Sequence, residues 1–251
     1  MDVEFTAIMP TKGELEYLPY SLPSVFALEP SEVIVLSDDP GTAKLAAKIA
    51  KKLGYEDRLK VVELWKVPSE DWRCRIAFAR RYGFRMARHD VILNTDADTV
   101  LDPKIKQYIP LVGRNDIGLV SFRRVGYPPG LRDAVNYLAH VVLKLGFDAI
   151  YAFYRPYWAE TESMESLKRV ESAEDTHLCL SMRRKYKVLY VKDVKNLDLR
   201  RVDSPERQLL DGRMKYFVER EPLAKVLAHS LLYVRPRVVV GYLKAKYARG
   251  I

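Results

Sequence analysis

Residues Val91-Ile-Leu-Asn-Thr-Asp-Ala-Asp98 run as a short apolar strand straight into two carboxylates spaced by one residue. A brief apolar run bounded by polar residues reads as a strand buried on both faces. The same pattern recurs upstream. Val3 to Met9 ends at Pro10-Thr11-Lys12-Gly13, and Val33 to Leu36 is closed by Ser37-Asp38-Asp39-Pro40-Gly41. Lys60 to Leu64 and Ile117 to Phe122 give further strands. Between them lie helical patterns. Tyr17 to Ala27 places Leu18, Leu22, Val25 and Phe26 on one side. The next helix runs from Thr42, as its cap, to Leu53, where Gly54 stops it, and another spans Arg73 to Ala87.

Strand–helix alternation predicts an α/β fold, a mostly parallel central sheet flanked by helices. Ligands of such sheets bind beyond the carboxyl ends of the strands. Pro10–Lys12, Ser37–Asp39 and Asn94–Asp98 all fall there. None of these turns carries the glycine spacing of a dinucleotide or P-loop fingerprint, which sets those classes aside. Downstream, Leu131 to Leu145 reads as a helix, Ala149 to Tyr154 as an aromatic strand, and Glu160 to Glu171 as an exposed acidic loop or short helix. Glu174 to Lys185 is helical and Lys187 to Val191 a final strand. Helices follow over Glu206 to Phe217, Leu223 to Val234 and Arg237 to Tyr247, with Pro222 and Pro236 as breaks.

At 251 residues, 48% hydrophobic and 30% charged, the composition is that of a globular protein with a full core. No apolar run reaches the roughly 18 residues of a membrane-spanning helix. The opening MDVEFTAIMPTKGE carries acids where a secretory signal carries Lys or Arg, so a cytoplasmic location is expected. Cys74 and Cys179 make neither a disulfide framework nor a zinc cluster. Two Gln and four Asn, against many Lys, Arg and Glu, fit a thermophile. The net charge of +9 is unevenly spread: Arg183 to Ile251 holds 18 bases against 7 acids, the rest 24 against 26. A basic tail of this kind suits nucleic acid, anionic lipid or phosphate, or is simply a solvated face.

Asp96 and Asp98, just outside a strand, are suited to share a hard cation such as Mg²⁺ or Mn²⁺ that neutralises a diphosphate. The plainer alternative is a helix-capping Asp beside a solvent-facing one. Glu174-Asp175 opens a helix, where the dipole favours acids, and a carboxylate there is also placed to accept a proton from a sugar hydroxyl. Asp38-Asp39 either bonds a base or ribose or is an ordinary Asp-rich turn before Pro40. Tyr151, Tyr154, Tyr157 and Trp158 offer rings for an acceptor sugar, or belong to the core.

Taken in order, these segments resemble glycosyltransferase family 2, inverting enzymes of the GT-A fold. Phe5-Thr-Ala-Ile-Met-Pro-Thr11 is similar to that family's opening strand and Pro-Thr turn, and Glu16-Tyr-Leu-Pro-Tyr-Ser-Leu22 to the helix after it. Val33-Ile-Val-Leu-Ser-Asp-Asp39 resembles the second strand and acidic turn, and Ala79-Arg80-Arg81-Tyr82-Gly83 the Ala-Arg-Asn-x-Gly segment. Val91–Asp98 resembles the DxD motif, and Glu174-Asp175-Thr-His-Leu-Cys-Leu-Ser-Met-Arg183 the Glu-Asp helix. The resemblance covers about residues 3–191.

It implies a Rossmann-like GT-A catalytic domain over 1–203, its nucleotide-sugar half about 1–125 and its acceptor half about 126–203, with 204–251 as a basic helical extension. It implies that Pro10, Thr11, Asp38, Asp39, Arg80 and Asp96 bind the nucleotide. Asp98, with Asp96, holds Mn²⁺ or Mg²⁺, and Asp175 is the base. Glu174, Trp158, Arg207 and Arg213 are candidates for acceptor or phosphate contact. The expected donor is a UDP-sugar, then a GDP-sugar, and the acceptor a hydroxyl of a glycan or lipid-linked molecule. The apolar and basic residues of the tail helices suit either an anionic membrane surface or packing against the catalytic domain or a second subunit.

Two departures stand out. Arg81 replaces the motif's Asn, and the Gln-x-x-Arg-Trp motif of processive members is missing, which argues for single transfers. Two other readings were weighed against this one. A sugar-phosphate nucleotidyltransferase usually opens with a Gly-rich phosphate loop, and Pro10-Thr11-Lys12-Gly13 has one Gly. A nucleic-acid-binding protein leaves the ordered acidic motifs unexplained.

Overall fold

Strand β1 (Phe5–Thr11) is buried at every position and forms the spine of the sheet. It pairs in parallel with β2 (Glu32–Ser37) on one side and β4 (Val91–Asn94) on the other, and β2 pairs in parallel with β3 (Leu59–Glu63). The computed structural model describes residues 3–68, 74–126, 134, 138, 150–161, 174–200, 208–209, 212–213, 215–216, 222–232 and 235–247. Among these, eight strands form one mixed sheet in the order β3-β2-β1-β4-β7-β6-β8-β5. Strands β5 (Thr99–Val100), β6 (Ile117–Gly126), β7 (Ile150–Tyr154) and β8 (Lys187–Asp198) complete it. Strand β7 runs antiparallel to both β4 and β6, whereas β6 and β8 are parallel.

Side chains alternate between two cores. Ala7, Met9, Val33, Val35 and Leu93 face one; Ile8, Ile34, Leu36, Ile92 and Phe153 face the other. Helices α1 (Leu18–Phe26) and α2 (Pro40–Leu53) cover the first through Leu18, Leu22, Val25, Phe26, Ala46 and Ala50. Helices α3 (Arg75–Met86), α4 (Arg155–Thr161) and α5 (Glu174–Arg183) cover the second through Phe78, Phe84, Trp158, Leu178 and Met182. Burial on both faces is why the strands carry near-continuous apolar runs.

Several boundaries differ from the sequence reading: β6 runs on to Gly126, Arg155–Thr161 is a helix where none was expected, and Pro236, expected as a break, opens the last helix. Two further differences bear on the site. Helix α2 starts at Pro40, capped by Asp39, whose Oδ1 accepts the Thr42 N–H at 2.7 Å; Thr42 is therefore the recipient of the cap, not the cap. Strand β8 continues past Val191 to Asp198, because Val194 and Asn196 turn inward between charged residues. The Asn196 amide fixes both neighbours, accepting the Asp102 N–H and donating to Arg123 O.

Helices α6 (Leu223–Leu232) and α7 (Pro236–Tyr247) build a separate small core from Val226, Val238 and Tyr242. No helix among the described residues is long and apolar enough to cross a membrane. The helix expected over 131–145, most of the acidic loop 160–171, and Arg207 lie outside the described residues.

Candidate active site

The carboxyl ends of β1, β2 and β4 lie side by side, so their turns converge. Pro10 and Thr11 are the last two residues of β1 and are buried. Asp39 ties the next turn to α2: its Oδ2 accepts the Gly13 N–H at 2.9 Å and the Thr42 hydroxyl at 2.5 Å. Burial pushes the Asp39 carboxyl up, but these donors hold it below its ordinary value. Asp38 points elsewhere. Its Oδ1 accepts from Arg75 Nε at 3.2 Å and Nη2 at 3.1 Å, while Arg75 also reaches Leu64 O at 2.9 Å and lies over the Phe78 ring.

Strand β4 delivers the two carboxylates of the opening motif. The turn is held from α1, where the Ser21 hydroxyl donates to Ala97 O at 2.6 Å. Asp96 accepts from Arg80 Nη2 at 2.7 Å and Arg124 Nη1 at 3.1 Å. Asp98 accepts from Arg200 Nε at 2.8 Å, and Arg200 Nη2 reaches Glu14 at 2.9 Å. The Leu199 N–H bonds Asp98 O at 2.8 Å, bringing the end of β8 and Asp198 beside the motif. Burial pushes the Asp198 carboxyl up, Arg124 opposes this, and Asp98 and Asp96 add to it.

Helix α5 joins this cluster through Arg80. Its Nη1 donates to Glu174, the first residue of α5. Burial pushes the Glu174 carboxyl up; Arg80 opposes this and Asp175 adds to it. Asp175 follows in the same first turn, half-buried.

Asp96, Arg80, Arg124 and Glu174 are thus joined in one network, and Asp98, Arg200 and Glu14 in a second beside it. Trp158 is placed apart from both. Its ring is 5% exposed, wedged edge-on to Phe84 and Phe153 with Arg81 over it, so it has no face for a sugar. Tyr151 is likewise a core residue. Arg213 is exposed in a helical stretch that packs on α7. Arg124, Arg200, Glu14 and Asp198 were missed by sequence reading; each lies far along the chain from the motif it meets, and no local signal marks it.

A divalent ion fits the donor set. Mg²⁺ and Mn²⁺ take hard oxygen ligands and are commonly held by one or two carboxylates plus substrate phosphates. Asp98 supplies such an oxygen, since among the described residues its Oδ1 meets the Thr99 hydroxyl alone, at 3.4 Å, whereas both oxygens of Asp96 are held by Arg80 and Arg124 and one would have to exchange its guanidinium for the ion. Among the described residues no three acidic, His or Cys side chains surround one point, so the remaining ligands would come from substrate and water.

The profile of glycosyl transferase family 2 matches residues 6–187, from β1 to the start of β8. The chain belongs to glycosyl transferase family 2. It is therefore a glycosyltransferase of the GT-A fold. The chain is similar in fold to S. aureus TarS 1–349, at 14% identity and TM-score 0.56, over 99% of this chain and 73% of that one. It is similar also to a Bacillus anthracis structure assigned as a glucose-1-phosphate thymidylyltransferase, at 9% identity and TM-score 0.51, over 77% and 89%. The Streptococcus pneumoniae glycosyltransferase GlyE aligns at 13% identity and TM-score 0.49, over 89% and 53%. At these identities the structural likenesses speak to fold alone. No curated protein matches the sequence.

Proposed function

We propose that this glycosyltransferase moves a single sugar, with inversion, from a UDP-sugar to a hydroxyl of a glycan or lipid-linked acceptor. The observation that carries the proposal is the junction of the Asp96–Asp98 turn with the first turn of α5. Arg80 bridges Asp96 to Glu174 there, which supports reading the Asp96–Asp98 pair as the diphosphate side and the Glu174–Asp175 pair as the source of the base. Residues 1–203 act as the catalytic domain and 204–251 as an extension.

Pro10, Thr11, Asp38 and Asp96 line the nucleoside side. Asp39 serves it indirectly by fixing the turn at Gly13. Arg75 occupies one oxygen of Asp38, which leaves Oδ2, among the described residues, to accept from a base. One acceptor oxygen beside a guanidinium suits uracil, whose single N3–H lies between two carbonyls. Guanine presents N1–H and N2–H together and calls for both carboxylate oxygens. This supports UDP over GDP.

Asp98, with Asp96, would hold Mn²⁺ or Mg²⁺, which when bound neutralises the diphosphate as it departs. Arg124 and Arg200, half-buried at the same turn, add positive charge where negative charge develops. A carboxylate oxygen of Asp175 takes the proton of the acceptor hydroxyl as the hydroxyl oxygen attacks the anomeric carbon. The donor C–O bond breaks on the opposite face, so one displacement inverts configuration.

The basic tail supports a peripheral position at an anionic cytoplasmic membrane surface. Ala224, Leu227, Ala228 and Leu231 form an exposed apolar stripe on α6 beside Lys225, and Leu231 is 83% exposed. Calorimetric titration of UDP and GDP, each with and without Mn²⁺, tests the donor reading. Mn²⁺-dependent binding of UDP is the expected result. Binding of neither nucleotide overturns it, and pyrophosphate rather than UDP as product would identify a nucleotidyltransferase.

A further inference from the structure

Arg80 is 4% exposed, yet it carries a full charge between two carboxylates from distant parts of the chain. Asp96 lies 16 residues away at the end of β4, and Glu174 lies 94 residues away at the start of α5. Burying three charges is costly, and such clusters add little stability compared with apolar packing. What the cluster does is define a geometry. A guanidinium presents its nitrogens in a rigid planar fork, so one nitrogen on each carboxylate fixes the separation of the two elements.

We infer that Arg80 is a positioning residue: its buried guanidinium clamps the Asp96 end of β4 to the first turn of α5 and so sets Asp175 at a fixed place against the donor. This differs from the direct nucleotide contact expected of Arg80, and it rests on the reading of Asp175 as the base. The choice of arginine follows from the geometry. A lysine ammonium is a single point charge and satisfies one carboxylate at a time, leaving the other buried without its cation. The ionisable and charged groups that face this clamp are Asp96 after β4, Arg124 on β6, Glu174 and Asp175 on α5, Tyr151 on β7, and Cys74 before α3.

The test uses the full chain with Arg80→Lys, Arg80→Met, Glu174→Gln, and Arg80→Met combined with Glu174→Gln. Three quantities are read: UDP affinity with Mn²⁺ between about pH 5.5 and 8.5, UDP release from UDP-N-acetylglucosamine, and the unfolding midpoint. Arg80→Met should bind UDP about tenfold more weakly at high pH, where Glu174 is left as an uncompensated buried anion, and recover as the pH falls and Glu174 takes up a proton. Adding Glu174→Gln should flatten that pH dependence and bring affinity back to within about threefold of the parent, without restoring turnover. Arg80→Lys, the variant most certain to fold, should lose about tenfold more in turnover than in affinity.

Parent-like turnover in Arg80→Lys, or a loss of affinity in Arg80→Met that is uniform with pH and indifferent to Glu174→Gln, overturns the inference in favour of direct nucleotide contact. Failure of the glycosyltransferase reading looks different: the parent chain itself then binds no UDP. In that event the unfolding midpoints still report on the clamp, since additive effects of Arg80→Met and Glu174→Gln would show that it is absent.

Discussion

Gly83 of α3 lies directly on Ile8 of β1: a Cβ at Gly83 would stand 2.9 Å from Ile8 Cγ2 and 2.7 Å from Leu36 Cδ1. The helix that carries Arg80 can approach the sheet this closely only because position 83 has no side chain. Gly83→Val should therefore push α3 off the strands and cost about 1–3 kcal/mol from overpacking, measured by urea unfolding. UDP affinity should fall with it, because Arg80 moves with the helix.

Asp39 serves the structure as much as the ligand. Asp39→Ala removes the α2 cap and the tie to Gly13, and should cost about 1–2 kcal/mol at neutral pH. Its folded pKa lies below the ordinary 3.8, so its contribution is present above that pH and is lost as pH falls through the folded value. Thermal midpoints of parent and variant should differ at pH 7 and converge in strong acid.

Asp98 and Asp175 have separable roles. Asp98→Ala should abolish the strengthening of UDP binding by Mn²⁺. Asp175→Ala should leave the UDP titration unchanged and lower turnover by about 10²–10⁴-fold, the usual worth of a general base. Near-normal turnover in Asp175→Ala would place the base elsewhere.

Trp158 behaves as a core residue. Trp158→Ala removes the ring that packs edge-on against both Phe84 and Phe153 and should destabilise by about 3–5 kcal/mol. Acceptor affinity should not change in the fraction that remains folded, which a stacking platform would not allow.

The tail is tested by Leu227→Glu with Leu231→Glu. Both side chains are exposed, so stability should stay within about 0.5 kcal/mol. Flotation with vesicles rich in anionic lipid should be lost, as it should for a chain ending at Arg220. Equal flotation of parent and variants would remove the membrane proposal.

Strands β1, β2 and β4 were readable because each is sandwiched between helices and so carries an unbroken apolar run, as in Val33–Leu36 and Val91–Leu93. Strand β8 was read seven residues short because Lys192, Asp193 and Lys195 mask the inward Val194 and Asn196. Strand β5 has two residues, too few for any period to show. Trp158 and Tyr151 were ambiguous because an aromatic ring suits a core and a sugar platform equally.

Sequence alone determined the first four strands and the three helices between them, the turns that cluster at one end of the sheet, and the two carboxylates at the end of β4. Period, turn chemistry and a short motif are local properties, set within a few residues. The tertiary structure alone decided which cation meets which carboxylate. Arg80 finds Glu174 across 94 residues and Arg200 finds Glu14 across 186. Such partners are brought together by strand register and helix packing, and charges that lie so far apart in the chain leave no pattern in it to read.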